Sequence, residues 1–170
     1  MSKPKPSSPA IHCARDRLAD IASLIPNPRN PNKHGDKQIA LLAKIIRHQG
    51  WRAPVVVSKR SGFIVAGHGR LEAAKLLQVQ TVPVNDQEFE TEADEWAHLV
   101  ADNRIAELAE TDGSLLKDIL IELDTGDFDV DVTGWDKAAV DEYIAIRYDG
   151  AKKWLEEASC SSAGAETTAE

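Results

Sequence analysis

The stretch VAGHGRLEAAK (residues 65–75) sets Gly67, His68, Gly69 and Arg70 between an apolar run and a run of helix formers. Those residue types at such a junction suit the binding of an anion. The first backbone N–H groups of a helix lack intrahelical partners, and the helix dipole adds partial positive charge there. A phosphate placed at that end gains both. Glycines let the backbone approach with no Cβ in the way, and an arginine adds a forked donor. The spacing is neither a Walker loop nor a dinucleotide fingerprint. A plain strand–turn–helix junction would read the same way. His68 is a candidate general base. The five histidines include no pair at helical spacing, which gives a histidine-built metal site little support.

Two further clusters carry chemistry. Asn27-Pro28-Arg29-Asn30-Pro31-Asn32 is turn-forming sequence, yet Arg29 within it could bring a second cation to the same anion. Ala101-Asp102-Asn103-Arg104 offers a carboxylate, an amide and a further cation in a row. Mg²⁺ favours oxygen ligands, so Asp102 and Asn103 could face a metal–phosphate complex, with Arg104 beside them. Asp102 is accordingly the metal-side carboxylate of any nuclease or phosphotransferase built on this pocket. There is no GxSxG and no HExxH. Aromatic residues make up 5% of the chain and are scattered, too few for a stacking platform on single strands.

The elements that must position these residues follow from periodicity. DIASLI suggests a short first strand before the Pro/Asn loop. KQIALLAKIIRHQG places Ile39, Leu42, Ala43, Ile45 and Ile46 at helical spacing, with Asp36 as its cap and Gly50 as its end. PVVVS and FIVA, joined by KRSG, read as a hairpin. RLEAAKLL continues from the glycine junction as a helix. TVPVND is a strand that Pro83 assigns to a sheet edge. TEADEWAHLVADNRIAEL is a helix capped by Thr91. LLKDILIEL, after a Gly-Ser break, is another, ended by Gly126. Residues 127–136 read as an acidic connector and KAAVDEYIAI as a last short helix. The expected class is mixed α/β (α+β): a small mixed sheet with flanking helices, followed by C-terminal helices. Residues 1–16 read as a disordered tail, 17–90 as the core, 91–148 as an acidic helical extension of the same domain, and 149–170 as a second, largely disordered tail.

Charge is unevenly spread. Residues 18–85 hold ten Lys/Arg and three Asp/Glu, whereas residues 86–136 hold two Lys/Arg and seventeen Asp/Glu. The basic half suits a phosphate-bearing partner. The acidic half disfavours a duplex-binding surface there, because nonspecific DNA affinity comes from Lys and Arg on phosphates. A DNA-binding adaptor would therefore use the basic half. No apolar run approaches the roughly 18 residues that span a bilayer, and no secretory signal is apparent. Cys13 and Cys160 form no metal or redox spacing. Together these features suggest a cytoplasmic protein with no membrane partner.

Taken in order, IPNPRN (residues 25–30), a helix ending HQGW, PVVVS, FIVAGHGR, TVPV and VADNRIAE resemble the ParB N-terminal domain of the ParB/sulfiredoxin superfamily. The similarity spans about residues 18–145. It is closest to the branch found in phages and prophages, free-standing or fused to DNA methyltransferases, where the motifs read GHGR and ADNR. The resemblance implies a compact α/β fold that binds a nucleoside triphosphate, CTP in the partition proteins or ATP, together with Mg²⁺. By position, Gly67, His68, Gly69 and Arg70 would lie at the phosphates, with Arg29 from the first motif and Asn103 and Arg104 from the last. Asp102 and Asn103 fall where partition proteins carry a Glu-Asn pair that helps hold Mg²⁺. Implied partners are a nucleotide, DNA, a DNA methyltransferase or other phage DNA-processing protein, and a second copy of the chain as a homodimer.

The departures also inform. Partition proteins read GERR-like where this chain has GHGR, and the arginine that follows their Glu-Asn pair is Ala106 here. Sulfiredoxins place a catalytic cysteine where Gly69 stands, which argues against that chemistry. The acidic stretch 86–136 replaces the basic helix-turn-helix of partition proteins. No DPPY-like motif occurs, so methyl transfer is not expected of this chain itself.

Overall fold

The computed structural model describes residues 8–145. Four strands form one mixed sheet in the order β1-β4-β2-β3, with β1 at Arg17–Asp20, β2 at Val55–Ser58, β3 at Ile64–Ala66 and β4 at Thr81–Gln87. Pairing is antiparallel between β1 and β4, parallel between β4 and β2, and antiparallel between β2 and β3. Helices α1 (Asp36–Gln49), α2 (His68–Leu76) and α3 (Glu92–Glu107) accompany the sheet. This is the mixed α/β class that the periodicity implies. The chain divides into two compact units, Met1–Glu110 and Thr111–Glu170.

In the first unit, β-branched residues on β2 and β4 supply the sheet's buried face. Val55, Val57, Val82 and Val84 pack with Ile64, Trp51, Ala43 and Ile46 of α1, and Leu71, Ala73 and Ala74 of α2. The helical stripe of α1 thus packs beside α2 into this core, with Ile39 and Leu42 partly buried against it. Gly50 ends α1 with φ +74°, a value that favours glycine. Its bare Cα also admits the N-terminal segment, which pairs through Trp51 N–H to Ala10 O (2.7 Å) and His12 N–H to Trp51 O (2.9 Å). Residues 10–16, for which the sequence suggests no structure, therefore run beside the core. Residues 1–7 and the tail from 149 lie outside the described residues.

Three local expectations are corrected. The first strand lies at Arg17–Asp20, earlier than DIASLI. Asp20 then accepts from Ala22 N–H at 2.8 Å and turns residues 21–23 into a 3-10 turn. The cap of α1 is Gly35, and Asp36 is the first helical residue, where a carboxylate still complements the helix dipole. Finally, β4 is internal rather than an edge. Pro83 is tolerated because it pairs only with Leu18 of β1; the parallel ladder to β2 starts one residue later, at Val84. Arg17 adds a bidentate ion pair to Asp86 (2.6 and 2.8 Å) that ties β1 to β4.

The second unit starts with α4 (Gly113–Leu123), capped by Asp112, which accepts from Ser114 N–H and Leu115 N–H. The Gly-Ser pair is thus the first turn of this helix and not a break before it. The helix ends at Leu123, ahead of Gly126. Val130 and Val132, within the stretch read as a connector, are buried with Leu120 and Val140. Residues 137–145 are helical. Among the described residues no helix is long and apolar enough to cross a membrane.

Candidate phosphate-binding cleft

Strand β3 runs directly into α2 through Gly67, the N-cap, in the left-handed conformation (φ +91°, ψ 25°). An L-residue resists that conformation. A Cβ at Gly67 would also lie 3.3 Å from Val55 Cα and 3.0 Å from Arg70 Nη1. The first helical bond runs from Leu71 N–H to Gly67 O (3.1 Å), and no side chain caps the helix. The N–H groups that open α2 are left for a ligand.

A cleft of about 210 Å³ lies at this end. Gly67, His68, Gly69 and Arg70 line one side, Asn30, Asn32 and His34 another, and Asp102 and Asn103 a third. Arg70 is braced from behind, donating through Nη1 to Pro54 O at 3.1 Å. Burial draws its guanidinium below the usual value, while the charge of Asp102 opposes that shift. An arginine held in this way remains charged.

His68 is engaged by the Asn/Pro loop. Its Nε2 accepts from the Asn27 N–H at 3.2 Å, which leaves Nδ1 to carry the proton of the neutral ring. Burial lowers its pKa from 6.5; the nearby His34 reinforces this, and Glu72 opposes it. The ring of His34 lies against Gly69, its Cε1 3.4 Å from where a Cβ would stand, and its Nδ1 lies 3.1 Å from Gln38 Oε1. His34 and His68 share a cleft although 34 positions separate them. A search for sequence-local histidine pairs misses such a pairing.

The Asn/Pro loop is ordered around Asn27, which is buried. Its Oδ1 accepts from Arg29 N–H (2.9 Å) and its carbonyl from Asn30 N–H (3.1 Å). Among the described residues, Asn27 Nδ2 is the buried side-chain atom without a partner. Arg29 does not line the cleft; its guanidinium carbon lies 3.9 Å from the centroid of Trp96 on α3. Arg104 is also outside the lining and pairs with Glu107 at 2.7 Å. The structure thus brings together Gly67, His68, Gly69, Arg70, Asp102 and Asn103, but neither Arg29 nor Arg104. It adds Asn30, Asn32 and His34.

Helix α3 delivers the acidic side of the cleft. It opens with a reciprocal capping box between Thr91 and Asp94. Asp102 is exposed, and Asn103 Nδ2 donates back to Leu99 O at 3.0 Å. The amide oxygen of Asn103 and the carboxylate of Asp102 are the oxygen donors that a hard cation would use. Among the described residues no group of three or more His, Cys, Asp or Glu side chains could hold a metal. One carboxylate with phosphate oxygens and water is, however, a common Mg²⁺ environment, and these residues fit it.

The molecule is therefore a mixed α/β domain whose helix α2 opens onto a polar cleft. The chain belongs to the ParB N-terminal domain family, whose model matches residues 10–103. A ParB-like nuclease domain-containing protein, YnaK, from Escherichia coli (strain K12) is 39% identical over 64 residues, covering 38% of this chain and 72% of YnaK. Stage 0 sporulation protein J from Bacillus subtilis (strain 168) is 44% identical over 66 residues, covering 37% of this chain and 23% of that longer protein. The C-terminally truncated chromosome-partitioning protein ParB from Caulobacter crescentus, solved in complex with CTP-gamma-S, shares the fold. Its TM-score is 0.62 at 22% identity, over 87% of this chain and 88% of that one.

Proposed function

We propose that this domain binds a nucleoside triphosphate, CTP or ATP, with Mg²⁺ in the cleft at α2. The carrying observation is the convergence of the uncapped α2 start, Arg70, and Asp102 with Asn103 on one 210 Å³ cleft. Backbone N–H groups at Gly67–Gly69 and the Arg70 guanidinium would hold phosphate oxygens. His68 would donate from Nδ1. Asp102 and Asn103 would hold Mg²⁺ against the same phosphates, and the ion would screen their charge. Arg29 and Arg104 join as further phosphate contacts by leaving Trp96 and Glu107. The CTP-gamma-S complex of the Caulobacter crescentus protein supports CTP as the first nucleotide to test.

In this reading the domain acts in DNA modification or DNA metabolism, as a cytoplasmic module of phage or mobile-element origin. It works through a DNA methyltransferase or another DNA-processing partner, and as a homodimer. Isothermal titration with CTP, ATP, GTP and ADP plus Mg²⁺ tests the binding step. Absence of heat with every nucleotide, on a folded sample, would sink it.

The relative named for a ParB-like nuclease domain supports a second reading, metal-dependent phosphodiester cleavage with Asp102 at the metal and His68 as base. The engagement of His68 Nε2 by Asn27 favours binding over this chemistry. Supercoiled plasmid with Mg²⁺ or Mn²⁺ separates the two: nicking that disappears in Asp102→Ala would establish cleavage.

A further inference from the structure

Helix α3 turns an unusual face to the sheet. Glu95 is 1% exposed, the most buried charged residue among those described. Its Oε2 accepts from Ser58 Oγ (2.8 Å) and its Oε1 from Ser61 Oγ (2.5 Å). Ser58 ends β2 and Ser61 lies in the β2–β3 turn, and both are already committed to the turn's backbone. Ser58 Oγ accepts from Arg60 N–H and Ser61 N–H, and Ser61 Oγ accepts from Phe63 N–H. A hydroxyl has one proton, so each serine directs its only proton to Glu95. Arg60 adds charge at 3.9 Å. One carboxylate thus fastens the β2–β3 connection to the first turn of α3.

Asp102 and Asn103 follow Glu95 by seven and eight positions, two helical turns, or about 10 Å along the axis. They share its face, with buried Leu99 between them. An apolar side chain at 95 would hold the helix down without fixing its rotation or its register. Burying a carboxylate costs desolvation, which its bonds to Ser58 and Ser61 offset. What the paired carboxylate adds is orientation, since two directional bonds hold α3 at one setting. From this placement we infer that Glu95 is the positioning residue of the cleft. Through Ser58 and Ser61 it sets α3 so that Asp102 and Asn103 meet the Mg²⁺-bound phosphates. This inference rests on the nucleotide-binding reading.

The test uses the full chain as wild type, E95M, E95Q and S61A. Titration with Mg²⁺·CTP and Mg²⁺·ATP is combined with thermal melting and amide hydrogen exchange across residues 92–107. E95M, which leaves the Ser58 and Ser61 hydroxyls without their acceptor, is expected to fold but melt below the wild-type temperature, bind Mg²⁺-nucleotide at least tenfold more weakly and lose most of the Mg²⁺ dependence. E95Q, which keeps an acceptor for one serine, recovers most of that binding. S61A loses about threefold and exchanges faster in α3. E95M that folds and binds with wild-type affinity and Mg²⁺ dependence overturns the inference. If E95M does not fold, S61A decides in the same way. If the wild type binds no nucleotide, the nucleotide-binding reading fails on its own. Exchange then judges the seating of α3: faster exchange in S61A upholds it, and unchanged exchange overturns it.

Discussion

The Asn27 N–H donates to His68 Nε2 across 3.2 Å, and this bond ties the Asn/Pro loop to the first turn of α2. Two motifs separated by 41 positions thereby share one cleft. His68, a candidate base on sequence grounds, also has a structural duty: it holds the loop that brings Asn30 and Asn32 to the cleft.

That bond makes the loop sensitive to pH. The pKa of His68 is lowered in the folded protein from 6.5, chiefly by burial. The unfolded chain therefore takes up its proton first as pH falls, and stability drops. The contribution is complete above about 6.5 and declines as pH falls toward the lowered folded value. Melting temperature should fall from pH 7.5 to 5.5, and His68→Ala should flatten that dependence. At pH 7.5 the same variant should lose about 0.5–1.5 kcal/mol, the usual worth of one hydrogen bond.

Gly67→Ala meets two obstacles, the left-handed backbone at φ +91° and the 3.3 Å approach to Val55 Cα. The expected cost is about 1–3 kcal/mol of stability, the range for a residue held in a sparsely populated conformation. Denaturant unfolding reads it directly. Gly69→Ala is the contrast: its Cβ would meet the His34 ring at 3.4 Å or more, an ordinary contact. It should leave stability nearly unchanged while narrowing the cleft.

Arg70→Ala should weaken nucleotide binding by about 1.5–3 kcal/mol, the range for a hydrogen bond to a charged group. Arg70→Lys should recover only part of this, since an ammonium cannot both donate to Pro54 O and fork onto a phosphate. Arg29→Ala, whose guanidinium rests on Trp96, should cost less than Arg70→Ala. Titration of the three variants beside the wild type gives the ranking.

Asp102→Asn should act through the metal. Affinity in EDTA should stay close to wild type, while the gain on adding Mg²⁺ should shrink. Titrating nucleotide at several Mg²⁺ concentrations separates this from a general loss of binding.

Much of the fold was legible because long-period patterns report it. The apolar stripe of α1, the hairpin of β2 and β3, and the Thr91 cap all appear where spacing puts them. The glycine junction was legible for the same reason, as Gly67 supplies a conformation other residues avoid. Pro83 misled because the edge rule concerns the missing N–H, and here the ladder that would need it begins one residue later. The rest of the cleft was not legible because it is made in three dimensions. Neither the meeting of His34 with Gly69 nor the resting of Arg29 on Trp96 leaves a local spacing. Glu95 in sequence is one acid among several at the start of an acidic helix. Only its burial between Ser58 and Ser61 separates it from its neighbours.

The most direct measurement is isothermal titration of the folded chain with CTP and ATP, with and without Mg²⁺, beside Arg70→Ala. Saturable 1:1 binding of at least one triphosphate is expected, strengthened by Mg²⁺ and at least tenfold weaker in the variant. Equal affinity for wild type and Arg70→Ala, or no binding of any triphosphate, would contradict a phosphate cleft at the start of α2.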